Sequence, residues 1–178
     1  MSAIDFGPLE QLIGDWQGDR GKDVSPAEGE AGHVDADYRE RLLVDVVGDV
    51  TNAGTQTLAV VRYHQVVTRL SDGEVFHDEM GYYHYDAATG LLSCTFCIPR
   101  GVAVHAAGIP EQSAEGWRVV LKHVGIAQSS FMAEEASTRG FERHLQVAGK
   151  EVRYRQQIDL GIYGRVFEHS DENTLTLR

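Results

Sequence analysis

His64, His77 and Glu79 are the one set of metal-ligand residue types that simple strand geometry brings together in this chain. Asp72-Gly73 reads as a two-residue hairpin turn, which sets Ser71 opposite Glu74, His77 opposite Thr68, Glu79 opposite Val66 and His64 opposite Gly81. Two imidazoles and a carboxylate then share one face, as in cupin-like metal enzymes. Directly facing residues stand about 5 Å apart, so an ion would depend on Glu79 between the two histidines; a hydrogen-bonded polar patch is the other reading. Cys94 and Cys97 form an isolated C-x-x-C. Residues three apart on a strand point to opposite faces, and no second pair exists to complete a zinc site, so two packed free thiols are expected. His33, His84, His105, His123 and His144 have no partners in a recognisable order. G-x-S-x-G, Walker, G-x-G-x-x-G and H-E-x-x-H motifs are absent, which leaves a hydrolase or nucleotide enzyme without support.

Positioning such groups falls to strands. Stretches rich in β-branched and aromatic residues run from Asp15 to Gly21, Ala36 to Val47, Thr55 to Leu70, Glu74 to Asp86, Leu91 to Ile98 and Val102 to Ala107. Others run from Trp117 to Val124, Ser129 to Met132, Gly140 to Val147, Glu151 to Asp159 and Thr174 to Leu177. Asp72-Gly73, Asp86 to Gly90 and Ala148-Gly149-Lys150 are short enough to join neighbours as hairpins. About ten hairpinned strands strain as one open layer, and closure removes the exposed edges. The expectation is an all-β fold: a single domain over residues 1–178, an antiparallel up-and-down β-barrel of the lipocalin or fatty-acid-binding-protein shape, with a β-sandwich as the alternative. Pro8 to Ile13, closed by Gly14, reads as a short N-terminal helix. Lys22 to Asp35 lacks periodicity and reads as a mobile loop at a mouth. Along Thr55 to Leu70 the polar groups fall on both faces, Arg62 and His64 on one and Tyr63 and Gln65 on the other, which suits a partly polar cavity and equally an exposed edge strand.

Composition narrows the function classes. The 178 residues are 42% hydrophobic and 24% charged, enough for one packed core. The formal charge is -11, with 27 acids against 16 Lys and Arg, which repels phosphate backbones and argues against nucleic acid as a partner. No apolar run approaches a membrane span, and the start Met1-Ser2-Ala3-Ile4-Asp5 has no signal-peptide pattern, so a cytoplasmic location is expected.

Gly14-Asp15-Trp16-Gln17-Gly18-Asp19-Arg20-Gly21, directly after the short helix, resembles the G-x-W-x-G-x-G motif of the nitrobindin family. Gly14, Trp16 and Gly18 match it; Arg20 replaces the last glycine and Gly21 comes one position late. Phe76 to Tyr82, Ile98 to Val102, Phe141 to Tyr154 and Ile158 to Arg178 extend the resemblance over most of the chain. It implies a barrel that binds haem b through a single histidine near the C-terminus, which falls on His169 in Phe167-Glu168-His169-Ser170-Asp171. It also places Gly14, Trp16 and Gly18 at the cofactor, with Trp16 at the cavity base. Ser170 to Asn173 reads as a turn, so His169 stands at a strand end. The second axial position of the iron is then open to nitric oxide, and peroxynitrite isomerisation to nitrate is one inference further out.

The rival reading is a non-enzymatic carrier of a fatty acid or other small apolar ligand. Such carriers clamp a carboxylate with paired arginine and tyrosine, but alternation puts Tyr154 on the face opposite Arg153 and Arg155. The expected partner is a small molecule in the barrel interior, and a homodimer is the association left open.

Overall fold

The computed structural model describes residues 4–29 and 32–178. A 3-10 helix at Gly7–Leu12 leads into β1 (Gly14–Pro26), β2 (His33–Asn52), β3 (Gln56–Arg69), β4 (Val75–Asp86), β5 (Leu91–Ile98) and β6 (Val102–Gly108). After these come β7 (Glu111–Gln112), β8 (Gly116–Gln128), α1 (Ser130–Glu135), β9 (Ala136–Ala148), β10 (Glu151–Ile162) and β11 (Arg165–Leu177). The sheet order is β6-β5-β4-β3-β2-β1-β11-β10-β9-β8-β7, all antiparallel, and a β6–β8 pairing closes it. Ten strands form the ring while the two-residue β7 hangs on β8. This is the all-β antiparallel barrel expected from the strand count, and closure leaves no long unpaired edge.

Strand alternation sorts the interior into three levels. At the end carrying the 3-10 helix, Leu9 and Leu12 are fully buried and plug the barrel over Trp16, Val44, Val61, Leu92, Val147 and Leu175. The Trp16 indole Nε1–H donates to Leu12 O at 2.7 Å and ties the plug to β1. Next along the axis, inward positions become polar: Glu40, Gln65, Glu79, Arg143, Gln156 and Asn173 are all buried. Beyond this belt the barrel opens into a cavity of about 350 Å³.

Several sequence expectations need correction. Ser129 to Met132 is not a strand: Met132 and Ala133 N–H both donate to Ser129 O, which opens α1 in a run of helix formers. The expected loop Lys22 to Asp35 is shortened: residues 22–26 and 33–35 are strand, 27–29 and 32 lie between the strands, and 30–31 lie outside the described residues. Lys22, Asp35 and Asp37 point outward into water, and Asp23 points inward to partners, so polarity there reflects exposure and a polar interior. Ser170 to Asn173 is no turn; it pairs in the middle of β11 with β10, and Ser170, Asp171 and Glu172 also pair with β1. The turn lies earlier, at Tyr163-Gly164, both with positive φ (53° and 73°), the two-residue pattern that matches strand twist.

The β3–β4 register also differs. The turn spans Leu70 to Gly73, with Arg69 N–H donating to Glu74 O at 2.8 Å and the Asp72 carboxylate accepting from Glu74 N–H at 3.0 Å. With a bulge at Phe76, His77 pairs with Val67, Glu79 with Gln65 and His64 with Met80. A one-residue slip exchanges the faces. His64 lies on the outside beside Asp78, at 3.1 Å, while His77 and Glu79 face the interior.

Candidate functional site

The cavity is lined on one side by apolar residues of β5, β6, β9 and β10, including Phe96, Val104, Phe141 and Ile158. On the other side stand Asp23, Tyr38, His77, His169 and Asp171. Its floor is the polar belt. Arg143 Nη2 donates to Glu79 Oε1 at 2.9 Å, its Nε donates to Gln156 Oε1 at 2.8 Å, and its guanidinium lies 5.3 Å from the Phe96 and Phe141 ring centres. Tyr63 O–H donates to Glu79 at 2.6 Å, and His77 Nε2 lies 3.4 Å from the same carboxylate. Burial alone would raise the Glu79 carboxyl, but the Arg143 charge and the His77 and Tyr63 hydrogen bonds outweigh it and hold it at about 2. Burial likewise opposes charging of His77, yet its bond to Glu79 and the Glu79 and Asp171 charges raise it above its ordinary value. A buried pair of this kind persists only because its remaining donors and acceptors are met.

A second polar cluster adjoins the first. Glu40 accepts from Gln65 Nε2 at 2.8 Å, Tyr154 O–H at 2.8 Å and Asn173 Nδ2 at 3.0 Å. Burial outweighs these donors and pushes its carboxyl up to about 7. Tyr38 O–H lies 2.7 Å from the Tyr154 hydroxyl and completes the cluster. Asp171, pushed up to about 6 by burial against the His169, His77 and Arg143 charges, accepts from Gln156 Nε2 at 3.1 Å and links the two clusters.

His169 is brought to this site by the parity of β11, on which 169, 171, 173 and 175 point inward. Its Nε2 lies 2.7 Å from Asp23 Oδ1, and the ring makes no other hydrogen bond among the described residues. A carboxylate on one ring nitrogen fixes the tautomer and leaves the other for a ligand in the cavity.

The other proposed site residues divide between two places. Trp16 lies in the packed end and not in the cavity wall, because β1 crosses β2 at Leu42, a full belt below the cavity. Gly14 and Gly18 serve the same packing: a side chain at Gly14 would strike Leu177, and one at Gly18 would strike Thr174 O and Leu175. The motif's missing glycine is explained by a bulge. Between Gly18 and Gly21 the β1–β2 register slips by one, which turns Arg20 to solvent and seats Gly21 against the Tyr38 ring, where a Cβ would collide. The set His64, His77 and Glu79 is not assembled, since His64 is outside the barrel. Tyr154 points inward and Arg153 and Arg155 outward, as alternation requires. Cys94 is buried and Cys97 exposed, both free.

Sequence reading missed Asp23, Glu40, Arg143, Gln156 and Asp171. The signal for Arg143 was present: it shares strand parity with Phe141, Leu145 and Val147, an inward position that a charge occupies only with a buried partner.

A solved structure described as "Crystal Structure of Rv2717c from M. tuberculosis" superposes with a TM-score of 0.70 at 17% identity, covering 96% of this chain and 94% of that one. At that identity it shows the fold. No curated protein matches the chain. The family described as THAP4-like, heme-binding beta-barrel domain matches residues 5–176, in keeping with the nitrobindin resemblance and with haem b as the expected cofactor. By that match over nearly its whole length, this chain belongs to the THAP4-like, heme-binding beta-barrel domain family.

Proposed function

We propose that the protein binds haem b in the barrel cavity with His169 as the only protein ligand to the iron. The observation that carries this reading is an inward imidazole, oriented by Asp23, facing an apolar wall in a barrel of a haem-binding family. The residues fit the group: a cavity of about 350 Å³ lies within the ~300–1,000 Å³ range of small-molecule sites, one wall is apolar, and Arg100 lines it as a cation for a ligand carboxylate. When bound, haem iron would supply a redox-active centre able to take a diatomic such as nitric oxide, and His169 would be the residue that holds it. The barrel's own part is to hold the imidazole, exclude bulk water with Phe96, Phe141 and Ile158, and present Glu79 and Gln156, both bonded to the buried Arg143, at the cavity floor. Peroxynitrite isomerisation to nitrate is the enzymatic extension of this reading, by analogy with nitrobindins.

A fatty-acid carrier is less well supported by the same floor. Arg143 with Tyr83, whose hydroxyl is 3.3 Å away, would be the carboxylate clamp, but Glu79 already occupies the guanidinium. Titration with hemin tests the haem reading. A saturable one-to-one Soret band is expected in the wild type and in His64→Ala, and a shifted or lost band in His169→Ala. An unchanged spectrum in His169→Ala refutes the ligand assignment.

A further inference from the structure

The β1–β11 ladder sets two carboxylates directly opposite each other on the inner face, because Asp23 and Asp171 are register partners. Like charges placed so in a sheet repel, and here they do so in a wall where Asp23 is only 4% exposed. His169 sits two residues from Asp171 on the same face, and one ligand atom from each of Asp23, His169 and Asp171 lies within 4.8 Å of the others. We propose that, without haem, these three side chains bind one divalent transition-metal ion in the cavity wall. Independent of the haem reading, the inference assigns a second occupant to the same imidazole.

The geometry needs little adjustment. Carboxylate oxygens and imidazole nitrogens sit about 2.0–2.2 Å from such an ion, so two ligand atoms on one ion are at most about 4.4 Å apart. The observed bound of 4.8 Å exceeds that value by only about 0.4 Å. The ion replaces the proton now shared between His169 Nε2 and Asp23 Oδ1. Supporting bonds are already made: Ser25 Oγ donates to the other Asp23 oxygen, and Gln156 Nε2 holds Asp171 Oδ2 at 3.1 Å. Such partners orient ligands and hold them for the ion. One imidazole with two carboxylates and no thiolate suits Zn²⁺, Co²⁺, Mn²⁺ or Fe²⁺ over soft Cu⁺, and a three-ligand set leaves positions open toward the cavity. Two carboxylates neutralise the dication, so the site carries no net charge into the wall. The alternative metal set considered on β3 and β4 thus gives way to one on β1 and β11.

Calorimetry of haem-free protein with ZnCl₂ tests the proposal, with CoCl₂ absorption and proton NMR of the His169 ring as readings that need no variant. One ion per chain is expected, with the His169 resonances broadened or shifted by Co²⁺. Asp171→Asn and Asp23→Asn should each weaken binding at least about tenfold, and His64→Ala should not. The wild-type hemin titration is read beside the cation isotherm: a Soret band without an isotherm is failure of the cation site alone, and an isotherm without a Soret band is failure of the haem reading alone. Absence of a saturable isotherm overturns the proposal. So does equal affinity for Mg²⁺, or a Co²⁺ effect that spares His169.

Discussion

Replacing Glu40 by glutamine should stabilise the barrel at alkaline pH and do nothing comparable in acid. Glu40 is 4% exposed and accepts three hydrogen bonds, yet burial moves its carboxyl from the ordinary 4.5 to about 7. At about 1.4 kcal/mol per tenfold change in proton affinity, that displacement corresponds to about 3 kcal/mol. The sign follows from proton counting. Between 4.5 and about 7 the folded chain holds a proton at Glu40 that the unfolded chain has released. The stabilisation is therefore full below 4.5 and is lost as the pH rises through about 7. Glutamine stays neutral throughout, and its carbonyl oxygen still accepts from Tyr154 and Asn173, while its amide faces Gln65, which must turn its own carbonyl toward it. Urea unfolding at several pH values should show the two proteins close at low pH. The variant should be more stable by up to about 3 kcal/mol above neutrality, less whatever the Gln65 rearrangement costs. A Glu40→Gln protein less stable than wild type above neutrality, or a difference independent of pH, refutes the reasoning and shows that the three donors outweigh desolvation.

Glu79 carries the opposite linkage. Held at about 2 against an ordinary 4.5, it adds stability present above 4.5 that is lost as the pH falls through about 2, so Glu79→Gln should flatten acid unfolding in that window. Because it also leaves Arg143 buried without its anion, a loss of about 3–5 kcal/mol is expected near neutrality, measured by the same denaturant titration. Gly21→Ala should cost about 1–3 kcal/mol by pushing the Tyr38 ring off its seat, read as a lowered Tm. Native protein should give one thiol to a disulfide reagent and two after unfolding, because Cys97 is exposed while burial pushes the Cys94 thiol up to about 12.

Strand identity and barrel closure were legible in the residues because β-branched and aromatic runs with turn breaks are local patterns, and the period of two told which residues share a face. Parity placed Tyr154 opposite its flanking arginines and Cys94 opposite Cys97 before any fold was known. The resemblance singled out His169 in the C-terminal segment, although the expected turn at Ser170 to Asn173 set it at a strand end and not within the final strand. What only the tertiary structure decided is which face is inside and which strand stands beside which residue. The turn at Leu70 to Gly73 and the bulge at Phe76 fixed the β3–β4 register, and that slip sent His64 out and kept His77 and Glu79 in. Turn-rich Ser170 to Asn173 became mid-strand because a closed barrel gives Asp171 and Asn173 buried partners on β10 and β2, a supply that no local preference records. Asp23 meets His169 across 146 positions of sequence and Glu79 meets Arg143 across 64. Such pairs exist only when the ring closes, since a charge at an inward position is affordable only where another strand brings its counterpart.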